Sequence, residues 1–234
     1  MDKSQQVLPG FLNNDNGSFD SYYVSEAHRL VVQNLRRLLT DHQTDFVYLA
    51  GVSGAGKSHL LQAICEDASH QGIKAVYLPL SKLKDYVPET VLDEVREYPL
   101  VCLDDLQMIA THSEWEVALF EFFNWRMDRQ MPLYFAADKP ASLLDIELAD
   151  LKSRLAACLS FQLTQLDDDG KAAVMQYRAM HRGMQLNDAC AHFIIQRSGR
   201  NMKQLMAVLE ALEQSSLVAG RKLTVPFIKS VLDW

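Results

Sequence analysis

The chain has 234 residues, of which 48% are hydrophobic and 23% charged, and its formal net charge is −7. This composition is typical of a folded globular protein and excludes an intrinsically disordered one. The acidic balance argues against general nucleic-acid binding, and no apolar run approaches the roughly 18 residues that a membrane helix needs.

Residues 1–18 are predicted to form a flexible tail, because they are rich in polar residues and glycine and show no apolar period. The tail also lacks the basic and then apolar pattern of a signal peptide, so we expect a cytoplasmic protein that does not associate with a membrane. A first helix is predicted over Ala27–Leu39 from the helical spacing of its apolar residues.

Five short apolar segments are predicted to be strands. They are Phe46–Ala50, Ala75–Leu78, Leu100–Leu103, Leu133–Ala137 and Leu159–Leu163. A helix is predicted at Lys57–Gln71, and another begins at Ser113, where Glu116 three residues later gives a capping-box pattern. Strands that alternate with helices indicate an α/β fold, a parallel five-stranded sheet with helices on both faces.

The pattern changes after Leu166, because only helical periods follow. These cover Ala173–Arg182, Ala189–Arg197, Met202–Ala219 and Pro226–Leu232. We therefore predict an α/β domain over residues 19–165 and a small all-helical domain over residues 166–234. From Leu166 onward nine Lys/Arg residues face seven Asp/Glu, a net charge of +2, which leaves −9 for the preceding residues.

The eight residues after the first strand match the pattern GxxxxGK[ST], a P-loop that binds nucleoside phosphates. Its glycines let backbone N–H groups face a phosphate, and the following helix N-terminus adds partial positive charge. Lys57 is expected to reach the β- and γ-phosphate oxygens, and Ser58 to ligate Mg²⁺. The expected ligand is ADP or ATP, and its predicted contacts are Gly51, Val52, Ser53, Gly54, Ala55, Gly56, Lys57 and Ser58.

Acidic and basic residues elsewhere are candidates for the same chemistry. Asp104, at the end of the third strand, is predicted to hold Mg²⁺ directly or through water, and Asp105 to act as general base on an attacking water. Asp138, after the fourth strand, either senses the γ-phosphate or belongs to an ordinary turn. Arg154 either reaches the γ-phosphate of a neighbouring subunit or is a plain surface residue.

Cysteines and histidines do not indicate a further metal site. The four cysteines include no CxxC pair, so they are expected to be small core residues rather than zinc ligands or disulfides. The seven histidines show no metal-ligand spacing, so Mg²⁺ is the one metal expected.

These motifs, in this order, resemble those of the AAA+ ATPases and, within them, of the DnaA clade. Val101–Gln107 is similar to the clade's Walker B segment, Ala137–Pro140 to its sensor I, and Leu151–Leu155 to its box VII. The resemblance implies a P-loop AAA+ domain followed by a helical lid domain. It also implies that Arg154 is an arginine finger that acts in trans.

The same resemblance implies further nucleotide contacts. Tyr22 and Tyr23 lie in a segment similar to the one that opens the clade's ATPase module near the adenine. Asn201–Leu205 is similar to sensor II, with Lys203 where an arginine is usual. Lysine keeps the charge but loses the bidentate fork of arginine, which weakens the case for γ-phosphate sensing.

One departure from the initiator DnaA and one short motif in the tail make the sequence resemble the Hda family more closely. The sequence ends at Trp234, where DnaA continues into a helix-turn-helix domain, so direct sequence-specific DNA binding is not expected. A clamp-binding peptide of the form Gln-Leu-x-Leu-Pro is implied in the tail, where Gln5, Leu8 and Pro9 match and Gln6 replaces leucine.

The implied partners are the DnaA initiator and the sliding clamp, the beta subunit of DNA polymerase III. The implied function is to stimulate ATP hydrolysis by DnaA together with the DNA-loaded clamp, which negatively regulates replication initiation. The chain's own turnover would then be weak or absent.

The residues alone are also compatible with other functions. Asp104 and Asp105 supply the parts for an autonomous AAA+ ATPase such as a helicase loader, and a P-loop also occurs in small-molecule kinases. A homo-oligomer is compatible with an arginine that acts in trans. Nucleic-acid contacts by the second domain would use its cations, Arg197, Arg200, Lys203, Arg221 and Lys222.

Overall fold

The computed structural model describes residues 17–41, 45–219 and 222–234, with the side chains of residues 217–219 excepted. Backbone contacts divide the chain into two compact units, one that ends at Thr164 and one that begins at Gln165. Most of the predicted tail, residues 1–16, lies outside the described residues.

The first unit is built on a parallel sheet of five strands in the order β2-β3-β4-β1-β5. The strands are β1 (Phe46–Ala50), β2 (Ala75–Pro79), β3 (Leu100–Asp104), β4 (Leu133–Ala137) and β5 (Leu159–Gln162). This confirms the predicted fold class and places β1 inside the sheet, between β4 and β5. Because every strand runs the same way, all carboxyl ends meet at one edge of the sheet, here called the carboxyl edge, and all amino ends at the other, the amino edge.

Helices cover both faces of the sheet. Helices α1 (Arg29–Thr40) and α2 (Lys57–His70) contribute to the core on one face. The other face is covered by α3 (Leu80–Leu83), α4 (Pro88–Glu94), α5 (Ser113–Asp128) and α6 (Ala149–Ala156). The sequence patterns do not indicate α3 and α4, because one or two turns are too short to establish a helical period.

Strand residues alternate between the two cores, because successive side chains point to opposite faces of a sheet. In β4, Phe135 packs on the side of α3–α6, whereas Tyr134 and Ala136 pack on the side of α1 and α2. The four cysteines are free; Cys65 is half-buried and Cys102, Cys158 and Cys190 are buried, as small core residues are expected to be.

The first turn of α5 differs from the predicted capping box. The helix begins at Ser113, but no side chain caps it. The Glu116 carboxylate, 2% exposed, instead accepts backbone N–H groups from Thr111 at 2.9 Å, Glu147 at 3.0 Å and Leu148 at 2.8 Å. The capping-box interpretation is wrong because this carboxylate holds the start of α6, which is distant in sequence.

The second unit contains only helices in its described part, as predicted. They are α7 (Asp168–His181), α8 (Asp188–Ser198), α9 (Met202–Ala219) and α10 (Val225–Leu232), and they enclose their own apolar core. The side chains of Asp167, Asn187 and Thr224 cap α7, α8 and α10 by accepting a backbone N–H. None of the helices in the described parts of either unit is long and apolar enough to cross a membrane.

Candidate functional site

The predicted P-loop joins the carboxyl end of β1 to the first residue of α2. Gly54 and Gly56 adopt φ angles of 82° and 99°, which glycine reaches without steric conflict. A side chain at Gly56 would also lie 3.0 Å from the ring and hydroxyl of Tyr22. The first N–H groups of α2 have no acceptor within the helix and are available to an anion at this edge of the sheet.

The loop is in close contact with the strands on both sides of β1. The Gly51 N–H donates to the carbonyl of Ala137, at the end of β4, at 3.2 Å. A Cβ atom at Gly51 would lie 2.5 Å from the carbonyl oxygen of Leu163, which follows β5. The loop's position is therefore fixed by the sheet rather than by its own sequence alone.

Lys57 is buried at the centre of the loop, with 8% of its surface exposed. Its ammonium donates to the carbonyls of Gly51 and Val52, the latter at 3.2 Å. Burial lowers the pKa of this ammonium, whereas the nearby carboxylates of Asp104, Asp105 and Asp138 oppose that shift. The structure thus gathers four of the predicted site residues at the carboxyl edge.

Asp104 is 1% exposed, and protein donors hold both of its carboxylate oxygens. Oδ1 accepts the Asp105 N–H at 2.8 Å, and Oδ2 accepts the Tyr77 hydroxyl at 2.6 Å. Burial raises the pKa of Asp104, and hydrogen bonds with Ser58 and Tyr77 counteract that rise. The sequence patterns do not indicate Tyr77, because it occupies an ordinary strand position and gains its role from a neighbouring strand.

Asp105 is linked to Asp138 through Gln107. Asp105 adopts a left-handed backbone conformation with φ 59°, and its Oδ1 accepts from Gln107 Nε2 at 3.2 Å. The side-chain oxygen of Gln107, Oε1, in turn accepts the Asp138 N–H at 3.2 Å. A buried side-chain oxygen of Asp138, Oδ1, has no hydrogen-bond partner in the described part of the chain. A non-glycine residue in this conformation and an unpaired buried oxygen are both typical of functional sites.

The oxygen donors fit Mg²⁺ held jointly with a phosphate. Within the described residues, no group of three or more His, Cys, Asp and Glu side chains could hold a metal ion. Ser58 and Asp104 supply a hydroxyl and a carboxylate, and Mg²⁺ is usually held by one or two such groups together with phosphate oxygens and water. The site therefore fits a nucleotide-bound Mg²⁺ better than a metal that the protein binds alone.

Tyr22 lies against the loop, but its hydroxyl is engaged. Since a carbonyl oxygen can only accept, His28 Nε2 carries the hydrogen that is donated to Thr164 O at 3.0 Å. The neutral ring then accepts the Tyr22 hydroxyl at Nδ1, at 2.9 Å. Burial lowers the pKa of His28, which favours this neutral form. Tyr23, the next residue, is half-buried.

Arg154 lies apart from the P-loop. It is on α6, which leads into the amino end of β5, and its guanidinium contacts Met127 Sδ at 3.5 Å near the end of α5. Helix α5 leads in turn into the amino end of β4. Arg154 is therefore on the amino side of the sheet, whereas the P-loop is at the carboxyl edge.

The remaining predicted residues lie in the second unit or outside the described residues. Lys203 is exposed in the first turn of α9 in the second unit, where its N–H donates to Asn201 Oδ1 at 2.9 Å. Gln5, Leu8 and Pro9, the predicted clamp-binding residues, lie outside the described residues.

The first unit has the architecture of an AAA+ domain: the P-loop strand β1 is separated by β4 from the acid-ended strand β3. Comparison with known sequences gives the family. Residues 12–162 match the profile of the bacterial DnaA ATPase domain, and residues 168–232 match that of the Hda lid domain. The chain therefore belongs to the DnaA-related AAA+ proteins of the Hda family.

Similar sequences and structures cover most of the chain. An uncharacterised protein of Haemophilus influenzae is 38% identical over 220 residues, 94% of each chain. Domain III of the Thermotoga maritima replication initiation protein DnaA has a TM-score of 0.78 at 19% identity, over 94% of this chain and 97% of that one. AMPPCP-bound DnaA from Aquifex aeolicus has a TM-score of 0.72 at 19% identity, over 89% and 68% of the two chains. These structures share the fold.

Proposed function

We propose that this protein is a cytoplasmic, nucleotide-bound regulator of replication initiation. It holds ADP or ATP with Mg²⁺ at the P-loop and stimulates ATP hydrolysis by the DnaA initiator through Arg154. The DNA-loaded sliding clamp is its second partner. Membership of a DnaA-related family supports the biological context. The P-loop and Arg154 lie on opposite sides of the sheet, which supports separate roles in binding a nucleotide and in acting on DnaA.

The charges at the carboxyl edge support nucleotide binding that depends on Mg²⁺. Asp104, Asp105 and Asp138 surround one ammonium, that of Lys57, so the carboxylates exceed the cations in number. A polyphosphate would be repelled by this excess, and a divalent cation held at Ser58 and Asp104 would offset the repulsion. The AMPPCP-bound relative from Aquifex aeolicus supports a nucleotide ligand at this fold.

The position of Arg154 is the observation that carries the proposal. Its place on the amino side of the sheet keeps it from the chain's own P-loop, so a role in phosphoryl chemistry has to be in trans. The guanidinium is half-buried and, within the described residues, forms no ion pair. A positioned cation without a carboxylate partner is suited to stabilise the charge that develops on a partner's γ-phosphate.

The tail motif supports the role of the clamp. Gln5, Leu8 and Pro9 match a clamp-binding peptide of the Hda family, and an extended peptide can enter a pocket of a partner. The clamp would hold the protein at replicating DNA, where DnaA is encountered at high effective concentration.

The test is the rate of ATP hydrolysis by purified DnaA with clamp-loaded DNA and this protein. Arg154→Ala is expected to bring hydrolysis back to the unstimulated rate, because an arginine finger contributes about 10³-fold or more. Arg37→Ala removes an exposed arginine of α1 that pairs with Asp41 at 3.1 Å and should keep full stimulation. Full stimulation by Arg154→Ala would refute the proposal.

The clamp is tested by a separate variant in the same assay. Gln5→Ala/Leu8→Ala is expected to lose capture on the immobilised clamp and stimulation of DnaA, while ADP binding is kept. Normal capture by this variant would exclude the tail as the clamp ligand and leave the test of Arg154 unaffected.

An autonomous ATPase, such as a helicase loader, is the second candidate function. The observation in its favour is the complete set of Lys57, Asp104 and Asp105, with Asp105 linked through Gln107 to the loop after β4. Phosphate release by the isolated protein distinguishes the two functions, with Asp105→Asn as the control. Steady turnover that Asp105→Asn abolishes would favour the ATPase, whereas the regulatory proposal expects little release from either protein.

A further inference from the structure

Tyr77 and Asp104 lie on the neighbouring strands β2 and β3, and β2 is an outer strand of the sheet. Strands β2 and β3 pair in parallel, with Tyr77 opposite Cys102 and Pro79 opposite Asp104. Tyr77 and Cys102 both pack on the side of α1 and α2, and Asp104 lies two residues beyond Cys102 on the same face. Ser58, in the first turn of α2, lies near the Asp104 carboxylate and lowers its pKa.

Protein donors hold both oxygens of the Asp104 carboxylate. The Asp105 N–H donates to Oδ1 at 2.8 Å, and the Tyr77 hydroxyl donates to Oδ2 at 2.6 Å, the shorter of the two bonds. Because one donor belongs to the backbone that follows β3 and the other to the neighbouring strand β2, together they fix the rotation of the carboxylate.

We propose that Tyr77 is a positioning residue that holds the Asp104 carboxylate in the orientation needed for the Mg²⁺ that accompanies the nucleotide. The inference rests on the proposed nucleotide site and adds a residue to it. Tyr77 is not proposed to contact the metal or the phosphates. It acts through Asp104, and its hydroxyl rather than its ring carries the effect.

The hydroxyl and the ring of Tyr77 have separable roles. The ring packs against the apolar core on the side of α2, and a phenylalanine ring would keep that contact. A tyrosine hydroxyl is protonated at neutral pH and donates, so phenylalanine removes one donor to an ionised carboxylate. Tyr77→Phe is therefore expected to leave the fold intact and to free Asp104 to rotate.

The experiment measures ADP affinity by calorimetry in excess Mg²⁺ and again in EDTA. Tyr77→Phe should lower the affinity in Mg²⁺ about tenfold, the size expected for one hydrogen bond to a charged group, and leave the affinity in EDTA unchanged. Tyr134→Phe is the matched control, since Tyr134 is a β4 tyrosine that is 1% exposed and points into the same core. It should keep the wild-type ratio of the two affinities.

A double-mutant cycle with Asp104→Asn tests whether Tyr77 acts through Asp104. Adding Tyr77→Phe to Asp104→Asn should change the Mg²⁺ dependence no further. A wild-type ratio in Tyr77→Phe, an equal loss with and without Mg²⁺, or additive effects in the cycle would each overturn the inference alone. Wild-type protein that binds no ADP in Mg²⁺ would refute the proposed nucleotide site and this inference together.

Discussion

Lys57 and Arg126 are buried cations at opposite edges of the same sheet, and their surroundings differ. Arg126, which is fully buried, donates to the carbonyls of Arg96, Tyr98, Pro99 and Pro132 at 2.6–3.3 Å. These carbonyls precede β3 and β4, so Arg126 joins the amino ends of two strands. Lys57 donates to carbonyls of its own loop and is surrounded by carboxylates.

The difference separates a cation whose hydrogen-bond partners belong to the fold from one whose partners could be exchanged for a ligand. Burial lowers the pKa of Arg126 to about 10, so the guanidinium is still charged at neutral pH, and its planar fork meets fixed backbone acceptors. In the proposed function, phosphate oxygens would replace the loop carbonyls as acceptors of Lys57 without a change in the sheet. A cation that completes backbone hydrogen bonds of the fold and a cation that is proposed to bind a ligand thus lie at opposite edges of one sheet.

The largest effect is expected from Arg126→Met. This change removes the donor to four buried carbonyls, and we expect the free energy of unfolding to fall by about 4 kcal/mol. Urea denaturation followed by circular dichroism measures it. Arg37→Ala, on the exposed face of α1, should change stability by less than about 0.5 kcal/mol. Near-wild-type stability of Arg126→Met would show that the amino edge does not depend on this cation.

Lys57→Ala should show the opposite balance of stability and binding. Because the lost hydrogen bonds lie within one loop, unfolding should change by less than about 1 kcal/mol. ADP affinity in Mg²⁺ should fall about 100-fold, since charge-assisted contacts to the phosphates are lost. Calorimetry and urea denaturation on the same preparation measure both. A large loss of stability without loss of affinity would reverse the comparison of the two cations.

The smallest effect concerns His28, which supports Tyr22 beside the loop. Its folded pKa lies below the ordinary 6.5, so the unfolded chain takes up a proton first as the pH falls. The contribution of His28 to stability is full above about pH 6.5 and declines below it. We expect the stability advantage of wild type over His28→Gln to shrink between pH 8 and pH 5.

Urea denaturation across this pH range measures that advantage. His70→Gln, at the exposed end of α2, is the control and should follow wild type at every pH. An advantage that is constant or grows toward acid pH would show that His28 is not held neutral in the folded protein.

The sequence predicts the sheet and the loop well, because their signals are local. β1 and β4 have the predicted bounds, since each is a continuous apolar run and the sheet is covered on both faces. The P-loop residues are identified by spacing alone, and the acids at Asp104 and Asp105 by their position after a strand. Such patterns need no knowledge of tertiary contacts.

The parts that the sequence does not indicate depend on contacts between distant segments. Tyr77 becomes relevant because β2 pairs with β3, and Gln107 because it bridges Asp105 to the turn at Asp138. Arg126 and Glu116 are charged, so the helical pattern alone predicts that both side chains are exposed to solvent. Both are buried. Each gains its position from backbone groups that only the folded chain brings near.

The close approach of Leu163 to Gly51 has a consequence for how the loop can evolve. The first glycine of the phosphate-binding signature faces a carbonyl of the neighbouring chain segment, and even alanine would need that segment to move. The segment that follows β5 therefore restricts substitution at this position independently of any ligand. A descendant that abandoned nucleotides altogether would still inherit glycine here for as long as the fifth strand kept its place.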